Sequence, residues 1–157
     1  MSQLSQTINE DTQQDIKGQS EAFVSEELVN IFRNDPYGQK LGFKLLHVKP
    51  GYALANAVVT DETLNFAGAP HGGFLFSLAD YALAAASNSH GRLTVGMTVS
   101  IQFFAKANIG DELYAEAMES HLANRTGFYE IIIRTDSKKI AQCIGTVHRF
   151  DSQVEIE

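Results

Sequence analysis

The amino-acid sequence predicts an α+β fold in which an antiparallel sheet wraps around one long central helix. Six segments with strand character are joined mostly by short turns, and short turns make antiparallel neighbours. A single long apolar segment, Phe74 to Ala86, is built from helix-forming residues and carries apolar side chains all round, the pattern of a helix enclosed by its surroundings. One antiparallel sheet has one face to bury, and that helix is the element available to fill its concavity.

In chain order, residues 1 to 20 are polar and aperiodic and predict a mobile tail, ahead of one domain spanning residues 21 to 157. Phe23, Val24, Leu28, Val29, Ile31 and Phe32 recur at roughly helical spacing, predicting a helix over Ala22 to Phe32 that Asn34-Asp35-Pro36 terminates. Phe43 to Val48 and Tyr52 to Thr60 flank Lys49-Pro50-Gly51 and read as a hairpin. The long helix follows His71 and is closed by Gly91. Met97 to Lys106 alternates apolar residues with mostly polar ones, the period of a strand with unlike faces. Three more strands follow, Glu112 to His121, Phe128 to Thr135 and Ile140 to Phe150, separated by Asn- and Gly-containing or Asp- and Ser-containing turns.

Composition narrows the function classes. The chain is 44% hydrophobic and 20% charged, as ordinary globular proteins are. A net charge of −7 argues against nucleic acid as the main partner, which normally requires a basic footprint. Cys143 is the single cysteine, so the chain has no internal disulfide and no Cys-rich metal spacing; its apolar strand makes it a core residue. No apolar run spans a membrane and no secretory signal is visible at the start, which points to the cytoplasm. Phosphate-loop and His-Glu-x-x-His signatures are absent, and His47, His90, His121 and His148 are dispersed, so no metal site is predicted.

The chemistry concentrates between Asn65 and Asp80. Asp80 is the only Asp, Glu, Lys or Arg from Thr63 to Gly91, and a carboxylate in apolar surroundings is costly unless it serves a purpose. If Gly72 and Gly73 open the helix, their N–H groups lack intrahelical partners and the helix dipole adds positive charge there, which suits a developing oxyanion. Eight helical residues place Asp80 about 12 Å from Gly72, too far to meet on one carbonyl. Two chains related by a two-fold axis, with antiparallel central helices, would bring Asp80 of one opposite Gly72 of the other. Asn65 has two readings, a site residue or a loop-stabilising Asx turn. Ser77, three residues before Asp80, reads as a support for it.

The blocks Leu64-Asn65, His71-Gly72-Gly73, Phe76-Ser77-Leu78-Ala79-Asp80 and Ser87-Asn88-Ser89, with Thr126-Gly127-Phe128-Tyr129 and Val147-His148-Arg149 further on, resemble the hotdog-fold acyl-CoA thioesterases of the phenylacetate-degradation (PaaI) type. The resemblance covers about Asp35 to Arg149 and implies a homodimer, often doubled to a tetramer, that hydrolyses acyl-CoA without a cofactor or metal. It implies Asp80 as catalytic carboxylate, either general base or nucleophile, Asn65 and His71 as polar site residues, and Gly72 as backbone donor to the thioester carbonyl. Gly73, Thr98 and Arg125 would contact substrate, and Lys106, Lys138 and Lys139 join Arg125 as candidates for the CoA phosphates. Phe66 and Tyr81 replace smaller residues common in the family and would narrow the acyl pocket. Two rivals are hotdog hydration or dehydration, whose Asp-x-Asn-x-x-His and His-Phe-Pro-Gly patterns do not occur, and a non-catalytic acyl-CoA binding or regulatory module.

Overall fold

The computed structural model describes residues 23–155. The tail predicted over residues 1–20 lies outside that span. Helix α1 runs Glu26–Arg33 and starts later than the periodicity suggests, because Ser25 caps it: its side chain accepts from the Leu28 N–H at 3.2 Å. A short helix α2, Pro36–Lys40, follows directly. The sequence reading took Asn34-Asp35-Pro36 only as a stop. It is also a start, with Asp35 as N-cap and Pro36 in the first turn, where a missing N–H costs nothing.

Strands β1 (Lys44–Lys49) and β2 (Tyr52–Val58) form the expected hairpin, turned at Gly51 with φ 72°. After a 3₁₀ turn at Asp61–Thr63 comes the long helix α3, Gly72–Asn88, and then β3 (Arg92–Phe103), β4 (Glu112–Leu122), β5 (Thr126–Arg134) and β6 (Lys139–Gln153). They make one antiparallel sheet in the order β1-β2-β4-β5-β6-β3. Strand β3 begins at Arg92 rather than Met97 because the end of α3 holds it. The Asn88 side chain donates to the Thr94 carbonyl at 2.9 Å and accepts from the Thr94 N–H at 2.8 Å, while Gly91, at φ 78°, turns the chain between them. An amide side chain thereby supplies a ladder step that no apolar pattern records. At its other end β3 stops at Phe103, because Phe104 and Ala105 both donate to the Ile140 carbonyl instead of continuing the ladder.

Helix α3 lies in the concavity of the sheet. Alanines pair across the floor beneath it, Ala53 with Ala117 and Ala55 with Ala115, all fully buried. These small side chains let Leu75, Leu78 and Leu83 of α3 reach the sheet, joined by Leu113, Ile131, Ile133 and Val147. At Gly145 on β6 the approach is tightest: a Cβ there would stand 2.9 Å from Leu83 Cδ2. Close packing of this kind is what fixes a helix at one height and rotation over a sheet.

The helix is not enclosed on every side. Gly73, Asp80 and Ala84 are exposed and Ser77 is half-buried, forming one outward stripe at steps of four, three and four residues. Strand β3 is an edge, paired only with β6, and Met97 and Phe103 on it are 59% and 53% exposed. No helix among the described residues is long and apolar enough to cross a membrane.

Gly145→Val should therefore destabilise the fold by about 1–3 kcal/mol through overpacking against Leu83. Adding Leu83→Ala should cost less in that background than in the parent, as a double-mutant cycle by denaturant unfolding would read.

Candidate active site

The segment before α3 is held by its own backbone. Leu64 bridges Pro70, the His71 N–H donates to the Thr63 carbonyl at 2.7 Å, and the Asn65 N–H donates to the Ala69 carbonyl at 2.7 Å. Asn65 Oδ1 accepts from the Ala67 and Ala69 N–H groups at 2.9 and 3.2 Å. The Asx turn is thus present, and it occupies the Asn65 oxygen. The Nδ2 amide has no partner among the described residues and is the part of Asn65 that can address a ligand. Gly68, at φ 67°, makes the turn possible and leaves Phe66 fully exposed on the loop.

His71 is the N-cap of α3. Its Nδ1 accepts from the Gly73 N–H at 2.9 Å, so a neutral ring carries its proton on Nε2, pointing away from the helix. This changes the expected donor set, because the Gly73 N–H is already used. Phe74 and Leu75 donate to the His71 carbonyl, which leaves the Gly72 N–H as the first-turn donor without a partner among the described residues. The Phe103 ring lies against Gly72, with Cζ 3.2 Å from where a Cβ would sit. Glycine at 72 admits both that ring and a ligand close to the backbone.

Asp80 stands on the outward stripe two turns along. It makes no hydrogen bond or ion pair among the described residues, and Ser77, expected to support it, donates to the Gly73 carbonyl at 2.8 Å instead. Asp80 touches solvent on its open side, yet loss of hydration against the groove walls, followed by the nearby Asp35 charge, pushes its carboxyl above the usual carboxylate range. The walls are Ile31, Phe32, Tyr37, Phe43, Phe76 and Tyr81, around a groove of about 410 Å³. Tyr81 is fixed there by its hydroxyl, which donates to the Phe32 carbonyl at 3.0 Å. It narrows the groove, as its size suggests.

A second groove, of about 450 Å³, opens at the other end of the exposed side of α3, lined by Asn65, Pro70, Gly72, Phe103, Phe104 and Lys106. The chain therefore brings Asn65 and Gly72 together with Lys106, and sets Asp80 apart in its own groove. Two expected substrate contacts join neither. Thr98 pairs with Thr146 on the face of the sheet opposite Val99 and Gly145, hence away from α3, and Arg125 is in an exposed ion pair with Asp151 at 3.3 Å. Lys139 sits over the Phe104 ring at 5.5 Å and donates to Gln142. Sequence reasoning missed the groove walls from α1 and α2, above all Asp35. The Asp-Pro step was its one available signal. Cys143 is buried, and its thiol is pushed up to about 11 by burial and then by the Asp80 charge. Among the described residues no group of three or more His, Cys, Asp or Glu could hold a metal ion.

Residues 67–141 match the model of the thioesterase superfamily. A protein of Archaeoglobus fulgidus is 43% identical over 122 residues, 77% of this chain and 79% of that one. The acyl-coenzyme A thioesterase PaaI of Escherichia coli is 35% identical over 79% of this chain and 89% of its own length. The E. coli PaaI structure superposes with a TM-score of 0.79, covering 84% of this chain and 99% of that one. A variant of the Thermus thermophilus phenylacetic acid degradation protein PaaI, 37% identical, superposes at 0.72 over 74% and 100%. With a helix cradled in a six-stranded antiparallel sheet and these relatives, the chain belongs to the thioesterase superfamily, as a hotdog-fold thioester hydrolase related to PaaI.

Proposed function

We propose that the protein hydrolyses acyl-CoA thioesters to free acid and CoA, as one hotdog domain over residues 21–157 whose active sites are shared between two copies. One observation carries this reading: the carboxylate of Asp80 and the N–H of Gly72, both without a partner among the described residues, open into different grooves along one rigid helix. Neither groove holds both an activator for water and a donor for the carbonyl. Two antiparallel copies of α3 complete the set twice. Gly73, Ser77 and Ala84 beside Asp80 are small enough to let two helices approach, and the bare β3 edge with Met97 offers a ladder to the same strand of a second chain. Pairs of such dimers would give the tetramer.

In the assembled site the thioester oxygen accepts from the Gly72 N–H, strengthened by the α3 dipole, with the His71 Nε2 and Asn65 Nδ2 donors alongside. The acyl group lies in the aromatic groove beside Asp80, and the CoA arm follows Phe103, Phe104 and Lys106 outward. Asp80, ionised, either takes a proton from water that attacks the carbonyl carbon or attacks it directly. In both routes the C–S bond breaks and the CoA thiolate leaves and is protonated; after direct attack, water then cleaves the acyl–Asp80 anhydride, releasing the acid and restoring the carboxylate. Gly73 serves by shaping the helix start, its N–H being committed to His71. Arg125 and Thr98 act, on this reading, only at the periphery, where the second copy meets the CoA arm. On this reading the enzyme is cytoplasmic.

Asp80→Asn should lower turnover by about 100- to 10,000-fold on a panel of aryl and straight-chain CoA esters, while equilibrium binding of the same esters persists. Hydrolysis retained by the variant would remove Asp80 from the reacting role, and a parent without activity across the panel would favour the binding-module rival. The same variant should raise Tm at neutral pH. The folded-state pKa of Asp80 lies above its unfolded value, so the stability it contributes is present in acid and lost as pH rises through the folded pKa. The gain from Asn should accordingly vanish below the carboxylate range, a trend that scanning calorimetry against pH would follow.

Sharing makes a separate prediction. Gly72→Pro removes the donor at the first helical position, where proline is tolerated, and should cost about 100- to 1,000-fold in turnover. Co-assembled Gly72→Pro and Asp80→Ala chains should regain up to one working site per heterodimer, and purified heterodimers that stay inactive would refute the shared arrangement.

A further inference from the structure

We propose that Asp35 is a positioning residue for the reaction, holding α2 against the helix that carries Asp80 and presenting a second carboxylate to the same groove. This rests on the reading of Asp80 as the reacting carboxylate.

The placement is local and tight. Asp35 Oδ1 accepts from the Gly38 N–H at 2.5 Å and starts α2. Gly38 is buried, and a Cβ there would meet Asp35 Oδ1 at 3.0 Å and Tyr81 Cε2 at 3.0 Å, so α2 lies directly on the Tyr81 ring. Tyr81 is the residue after Asp80. Asp35, Gly38 and Tyr81 thus form a stack that sets one wall of the groove at a fixed distance from Asp80, and Asp35 and Asp80 both line that groove.

Capping alone does not account for an aspartate here. Serine or asparagine caps a helix about as well without a charge, whereas an aspartate here also sets a second carboxylate in the groove that Asp80 lines. Among the described residues no Lys, Arg or His lines this groove to offset the pair. The titratable groups facing Asp80 are Asp35 and Tyr37 from α2, Tyr81 from α3 itself and the buried Cys143 from β6; Arg33, at the end of α1, acts on Tyr81. In a shared site the helix start of the second copy, with its His71, also faces Asp80. Of these groups, Asp35 adds to burial in pushing the Asp80 carboxyl upward. A like charge raises proton affinity, and an ionised carboxylate of higher proton affinity takes a proton from water more readily.

Asp35→Asn separates the two roles, since it keeps an oxygen for the Gly38 N–H and removes the charge. The acid limb of kcat/KM against pH should move to lower pH, with reduced kcat on the plateau and a Tm no lower than the parent's. The ¹³C carboxyl resonance of Asp80, assigned by its loss in Asp80→Asn, should titrate at lower pH in Asp35→Asn than in the parent. Asp35→Ala should show the same two displacements and also a lower Tm, which Asn restores. Superimposable pH profiles and Asp80 titrations in the parent and Asp35→Asn would overturn the proposal. If the parent hydrolyses no thioester, the carboxyl titration still decides it, and that failure falls on the hydrolase reading alone.

Discussion

The close seat of α3 on the sheet is the constraint from which the rest follows. Alanines facing one another across β2 and β4, and glycine at 145, remove the bulk that would hold the helix away. Leu78 and Leu83 then reach the sheet, and the helix can neither rotate nor slide without opening cavities that cost several kcal/mol. Because the inner face is fixed, the outer stripe is fixed too. Asp80 stands on that stripe and is aimed by packing it takes no part in.

The start of the same helix is governed by how its orphan donors are assigned. An N-terminus leaves about four N–H groups unpaired, and side chains or turns normally satisfy them. Here His71 takes the Gly73 N–H through Nδ1, and its carbonyl takes those of Phe74 and Leu75. Among the described residues this leaves the Gly72 N–H without a partner, beside a groove walled by Phe103 and Phe104. A histidine cap therefore does two things at once: it saturates the competing donor and turns its own Nε2 outward.

Much of this was legible in the sequence because it depends on periodicity. The six strands, the central helix and the isolation of Asp80 follow from patterns of two and 3.6 residues and from one charge in an apolar run. What escaped was decided by single side chains acting across distance. The early start of β3 comes from the amide of Asn88 on Thr94, the use of the Gly73 N–H comes from a histidine ring nitrogen, and Ser77 bonds backwards to Gly73 instead of forward to Asp80. The helix looked enclosed because alanine and glycine on its outer stripe count as apolar whether or not anything covers them. Asp35 looked like punctuation because a cap and a charge are the same residue.

The two halves of the site also bear differently on stability. The Gly72 end is made of groups that folding leaves unpaired in any helix, so keeping it open costs little. The Asp80 end sets a carboxylate in aromatic surroundings and adds a second one from α2, which works against the folded state at neutral pH. Such a cost can be carried only where the surrounding frame is rigid, and here the stack of Asp35, Gly38 and Tyr81 and the hydrogen bond from Tyr81 to Phe32 supply that frame. The carboxylate therefore stands beside that frame, eight residues along the helix from Gly72. That same rigidity keeps the two from meeting within one chain, and a pairing of two copies, as proposed, would let the fold use both.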